Sequence, residues 1–157
     1  MSKSLENEPE KASIGGVIFG VFNEIGIIEQ LARTRMERVL PDGMKAPHFG
    51  VLSHLVRLGK QESPAQLASA FQVSRPTMTN TIQRLEAKGY VTVEPDPSDG
   101  RGKLVLITAA GHAARDTAII ALKPLLKQIS GDLGLDIFAA VLPSLERIRI
   151  YMDENRD

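Results

Sequence analysis

Between Ser63 and Thr108 the chain opens two helices in quick succession and then changes its period, and no other stretch restricts the fold as strongly. Ser63-Pro64-Ala65-Gln66 is a capping box. The serine hydroxyl accepts a free backbone N–H of the first turn, the proline stands where no N–H is needed, and the glutamine reaches back to the serine N–H. The helix it starts has Leu67, Ala68 and Phe71 on its buried side. Gln72-Val73 makes the turn, with Val73 expected to plug the space between this helix and the next. Ser74 caps a second helix whose core stripe is Met78, Ile82 and Leu85. Lys88-Gly89 ends it. Residues 90–93 (Tyr-Val-Thr-Val) and 104–107 (Leu-Val-Leu-Ile) then have strand composition, and the EPDPSDGRGK between them reads as a loop. Two short helices followed by such a hairpin make a helix-turn-helix with a wing.

The core stripe leaves Pro76, Thr77, Thr79, Asn80, Gln83 and Arg84 on the other faces of the second helix, with Arg75 at its N-terminal end. That surface is short, polar and nearly free of acid, which suits duplex DNA. Asn and Gln bridge the adenine edge in the major groove, Arg pairs with guanine or phosphate, and Thr offers a hydroxyl to phosphate and a methyl to thymine. The reading places Thr77, Asn80, Gln83 and Arg84 toward the major groove and Arg75 and Thr79 on phosphates. A solvated face on any surface helix has a similar composition; the hairpin separates the two readings. At its tip Arg101 stands between Gly100 and Gly102, slim enough for a guanidinium to enter a narrow minor groove, and Lys103 is placed for phosphate. Asp99 is expected to hold Arg101, or a basic residue of the second helix, by a charge-assisted hydrogen bond. A plain solvated turn is the alternative for DGRG.

The remainder looks like a frame for this unit. Residues 1–11 are polar and acidic, and the composition predicts a mobile tail. Over residues 12–40, Ile14, Ile18, Val21, Ile25, Ile28 and Ala32 form a helical seam, widened by Val17, Phe22, Leu31, Met36 and Val39. The width predicts a subunit interface, although an ordinary core helix has the same pattern. Pro41-Asp42-Gly43 stops it. Residues 47–58 form a short buried helix carrying His48 and His54, whose spacing does not put two metal ligands on one face. After Thr108 a long helix is expected to run to about Ser130, kinked at Pro124, with a break at Gly131-Asp132. A last helix follows, with a kink or restart at Pro143. The chain divides into a tail at 1–11, an N-terminal helix at 12–40 expected to serve dimerisation, a winged helix-turn-helix lobe at 44–108, and C-terminal helices at 109–157 that bend around a partner or around their own core. The fold class is mainly α with a small β wing.

Composition removes several functions. The chain has no cysteine, so disulfides, thiolate metal sites and cysteine redox switches are excluded. Formal net charge is +0, from 19 basic and 19 acidic residues, so any hold on DNA depends on where the basic residues sit. The apolar run IGGVIFGVFNEIGII is interrupted by Asn23 and Glu24 and has neither a basic leader nor a cleavage site. The expectation is a cytoplasmic protein with no membrane partner. No nucleophile, base and orienting group are readable together, and no phosphate-binding loop or metal motif is present, so neither an enzyme nor a cofactor is expected. A winged helix that docks on protein rather than DNA is the second functional reading.

Leu85-Glu86-Ala87-Lys88-Gly89-Tyr90-Val91, Asp99-Gly100-Arg101 and Ile107-Thr108-Ala109-Ala110-Gly111 together resemble the signature of the MarR family of bacterial winged-helix regulators. The resemblance implies a homodimer on a pseudo-palindromic operator, usually as a repressor, with the N-terminal and last two helices interlocking between subunits. It also implies release of DNA by a small aromatic or anionic effector in a crevice between the dimer helices and the DNA-binding lobe, where Phe19, Phe22, His48, His54 and Arg57 are the expected lining. One departure concerns charge. Where many members carry a basic residue in the first wing strand, this chain has Val93, followed by Glu94, and with Asp96 and Asp99 the wing is charge-balanced.

Overall fold

The computed structural model describes residues 14–156. In chain order these form α1 (Ile14–Val39), α2 (Ala46–Leu58), α3 (Pro64–Ala70), α4 (Arg75–Ala87), β1 (Val91–Pro95), β2 (Lys103–Ile107), α5 (Ala109–Leu133) and α6 (Leu135–Glu154). The fold is mainly helical with a two-stranded wing, as the sequence pattern predicts. The expected tail at 1–11 and the helix start at Ala12 lie outside the described residues.

The core lies mainly in the lobe and extends onto α5. Val51, Leu52 and Leu55 of α2, Leu67 and Ala68 of α3, Met78, Ile82 and Leu85 of α4, Val91 and Val105 of the strands, and Ala118 and Leu122 of α5 form one buried cluster. Local chemistry sets the elements that carry them. Ser63 Oγ accepts the Gln66 N–H at 3.1 Å while Gln66 Oε1 accepts the Ser63 N–H at 2.8 Å, completing the capping box. Ser74 and Thr108 cap α4 and α5 in the same manner, each accepting an N–H of the first turn. Gly89, at φ 73°, turns the chain out of α4, and the Tyr90 N–H returns to the Leu85 carbonyl at 2.9 Å.

Several expectations change in three dimensions. Val73 does not plug the helix-turn-helix; it is 38% exposed, because Gln72 takes a left-handed φ of 51° and the Val73 N–H closes on the Ala68 carbonyl. The Phe71 ring packs there instead, against Gly50 of α2, where a β-carbon would lie 3.1 Å from its Cε1. The strands reach further into the wing than composition suggested, pairing Val91 with Ile107 through Pro95 with Lys103 and leaving residues 96–102 as the tip. Outside the hairpin, Glu62 forms a bridge to Val105 and stitches the start of α3 onto β2. The break after α5 is not at Gly131-Asp132. The helix continues to Leu133 and stops at Gly134, whose φ of 84° a side chain would resist, whereas Gly131 merely lowers propensity. Nor does the chain restart at Pro143: α6 runs through it, and α5 runs through Pro124. Both prolines are exposed, so water can satisfy the carbonyl each leaves unpaired.

No residue of α1 or α6 is buried. Their apolar sides face one another across an open trough of about 860 Å³, walled by Val21, Phe22, Ile25 and Ile28 on one side and Val141, Leu142, Leu145 and Ile148 on the other. By length and composition α1 is also the one described helix able to cross a bilayer.

Candidate nucleic-acid interface

Burial of Met78, Thr81, Ile82 and Leu85 fixes which way α4 faces. Thr81, left unassigned by the sequence stripe, turns inward and gives its hydroxyl to the Thr77 carbonyl at 3.2 Å, so it is not a contact residue. Arg75, Thr77, Thr79, Asn80, Gln83 and Arg84 are all exposed. The Thr77 hydroxyl lies 2.8 Å from Ser74 Oγ, so its first hydrogen bond is to the cap. Arg84 Nε donates to Asn80 Oδ1 at 3.0 Å, joining two polar side chains one turn apart. With no acidic residue in the first turn of α4, the partial positive charge of its N-terminus is unopposed locally.

The C-terminal end of α4 is basic and anchored. The Lys88 ammonium donates to the Asp42 carbonyl, tying α4 to the turn before α2. His48 accepts the Lys45 N–H on Nδ1 at 3.1 Å. Burial, and then the charges of Arg84 and Lys88, hold its pKa below the usual histidine value. A neutral imidazole therefore lies beside the basic end of the helix.

The wing tip is a closed loop. Asp96 and Gly102 pair through the Asp96 N–H at 2.9 Å, and the Gly102 N–H reaches the Asp99 carbonyl at 3.0 Å. Asp96 Oδ1 accepts the Ser98 hydroxyl and N–H, which lowers its carboxyl pKa from the ordinary value. Asp99 orients Arg101 differently from the expected ion pair: Oδ1 accepts the Arg101 backbone N–H at 3.1 Å. Arg101 and Lys103 are exposed.

Of the five residues expected around an effector, Phe19 and Phe22 lie on α1 and His48, His54 and Arg57 on α2. Phe22 walls the α1–α6 trough, and Phe19 is 72% exposed on α1. His48 is taken up at the start of α2. His54 Nε2 lies 2.9 Å from Glu62 Oε2, and its Nδ1 lies 3.1 Å from Arg57 Nη2. A guanidinium only donates, so Nδ1 is the acceptor and Nε2 carries the proton given to Glu62. The Phe71 ring meets His54 edge-on at 5.3 Å. Glu62 is the residue sequence reasoning missed; its capping-box neighbours were legible, but a one-residue bridge leaves no periodicity.

A polar helix presented beside a wing, on a lobe with its own core, defines a winged helix-turn-helix DNA-binding protein. A sequence profile described as MarR family matches residues 42–102. The chain is 30% identical over 121 residues to the transcriptional activatory protein BadR of Rhodopseudomonas palustris, covering 75% of this chain and 69% of that one. It is 24% identical over 156 residues to the HTH-type transcriptional repressor NicR of Pseudomonas putida, covering 97% and 98%. Among solved structures, a mutant MarR from E. coli complexed with operator DNA superposes with a TM-score of 0.72 at 25% identity, over 87% of this chain and 98% of that chain. The chain belongs to the MarR family: it is a DNA-binding transcriptional regulator, not an enzyme.

Proposed function

We propose that the chain acts as a homodimer on a pseudo-palindromic operator, as a repressor in the cytoplasm. The observation that carries the dimer is the apolar trough between α1 and α6, which one copy leaves open to water beside a complete lobe. Apolar surface of this extent belongs in an interface, and the charges at Glu24, Glu29 and Arg33 of α1 favour a protein partner over a bilayer. Two-fold symmetry sets the two α4 helices about 34–36 Å apart, one turn of duplex. Thr77, Asn80, Gln83 and Arg84 then face the major groove, Arg75, Thr79 and Lys103 the phosphates, and Arg101 the minor groove, oriented by Asp99. NicR, similar along almost all of its length, favours repression over the activation named for BadR.

A small aromatic or anionic effector that releases DNA enters at the end of the trough, where Phe22 of the expected set lies. There Phe22, Ser144, Arg147 and Tyr151 line a cleft of about 530 Å³. The deciding experiment is a mobility-shift titration of the purified dimer on its own upstream DNA. A shift competed by specific and not by random duplex is expected; equal competition by both would remove the operator reading.

A further inference from the structure

Asn80 and Arg84 form a pair whose geometry settles something sequence could not. Arg84 Nε–H points at the Asn80 side-chain amide at 3.0 Å. A guanidinium has donors and no acceptor, so the amide atom facing it is the oxygen. The two orientations of an asparagine amide, otherwise equivalent in shape, are thereby distinguished. Nδ2 keeps both of its donors for a partner outside the protein, and Oδ1 keeps one lone pair.

An adenine edge in the major groove offers N7 as acceptor beside N6 as donor, the complement of an amide with one donor and one acceptor free. Guanine offers two acceptors there, and its O6 would oppose Oδ1. An amide free to turn over can offer its NH₂ to thymine O4 or guanine O6 in whichever register is nearest, so fixing it sharpens the choice. Arg84 shares the groove-facing side with Asn80 but stands farther from the helix N-terminus. It lies in the last turn of α4, beside His48 and Lys88, whereas helices of this motif contact bases mainly through their N-terminal residues.

We propose that Arg84 is a positioning residue: it locks the Asn80 amide so that Asn80 demands an A·T pair at one position of each operator half-site. This rests on α4 being the base-reading helix. The test selects duplexes from a library with randomised half-sites and sequences those retained, using the full chain and the variants Asn80→Ala, Arg84→Met and the double variant. Both side chains are exposed, and methionine keeps the aliphatic stem while removing every donor.

The unsubstituted protein is expected to prefer A·T at the Asn80 position by roughly 10-fold or more. Each single variant should bring that position near parity while preferences elsewhere persist. The double variant should add nothing further there, as required when one residue acts through the other. If Arg84→Met spares that position, shifts a neighbouring one instead, or adds to Asn80→Ala, the positioning role is overturned while base reading by α4 stands. If Asn80→Ala changes no base preference although DNA is still bound, base reading by Asn80 is overturned, and the positioning role with it.

Discussion

Gly111 lies with its Cα against the Tyr90 carbonyl, and a β-carbon at that position would collide with the carbonyl oxygen. Thr108 completes the joint. Its N–H donates to the same carbonyl at 3.1 Å, and its hydroxyl donates to the Gly89 carbonyl at 2.6 Å while accepting the Gly111 N–H at 3.0 Å. The first turn of α5 is therefore clamped to the root of the wing, where α4 hands over to β1. Gly111→Ala forces these segments apart and should destabilise the chain by about 1–3 kcal/mol, the usual cost of overpacking. Urea unfolding checks this: the midpoint should fall with the slope unchanged, and an unaltered midpoint would show that the joint yields freely.

A second joint ties α2 to the wing through Glu62. Its backbone pairs with Val105 while its carboxylate accepts the His54 Nε2–H. Both side chains are largely buried, so Glu62→Leu leaves the imidazole N–H without an acceptor, at about 1–3 kcal/mol. Glu62→Gln retains an acceptor oxygen and should cost less. Denaturant melts that rank the two variants in the opposite order would mean the hydrogen bond contributes little.

These joints mark what a sequence can and cannot tell. The caps at Ser63, Ser74 and Thr108 were legible because each is a local hydrogen bond within one turn. The stripe of α4 was legible because burial repeats with the helix period. Gly111 was visible as a motif letter, but its reason, a carbonyl twenty-one residues away in sequence, appears only in space. Glu62, the packing of Phe71 on Gly50, and the inward turn of Thr81 depend on which elements meet. The surroundings of the expected effector residues on α2 depend on the same meetings: His48 meets the Lys45 N–H, while His54 bridges Glu62 and Arg57. The apolar excess of α1 and α6 was legible as excess, and the trough shows which sides carry it.

Charge in that trough should separate assembly from folding. Leu142 is 56% exposed on α6, and the buried cluster contains no residue of that helix. Leu142→Glu should give a folded monomer by light scattering, with a thermal transition for the lobe retained. Operator affinity should fall by roughly 100-fold or more as bivalent binding is lost. A variant that remains dimeric and binds normally would place the subunit contact elsewhere.

His48 gives a pH dependence whose direction follows from its surroundings. Above about pH 6.5 it is neutral in both folded and unfolded chains, and its contribution to stability is complete. As pH falls below that value the unfolded chain takes up the proton first, because burial and the charges of Arg84 and Lys88 keep the folded pKa lower. Stability is then lost until the folded histidine titrates as well. Melting temperatures between about pH 7.5 and 5 should fall less steeply for His48→Gln than for the unsubstituted chain. Parallel slopes would assign the acid sensitivity to other groups.

The wing supplies the sharpest contrast between two basic residues. Arg101 stands at the tip of a loop closed by its own hydrogen bonds, its N–H held by Asp99, so the backbone that carries its side chain is set before DNA arrives. Lys60 sits at the other end of the ribbon with its ammonium 3.9 Å from Glu62, already partly neutralised. With Asp96 ionised and Glu94 exposed on the same wing, general attraction to phosphate is weak there, and a single well-placed guanidinium counts for more. Arg101→Ala is therefore expected to weaken operator binding roughly 10-fold and to reduce the salt slope by about one unit, while Lys60→Ala stays within about twofold. Fluorescence-anisotropy titrations at several salt concentrations measure both quantities. Equal small losses for the two variants would take Arg101 out of the minor groove and leave α4 as the sole anchor of the lobe on DNA.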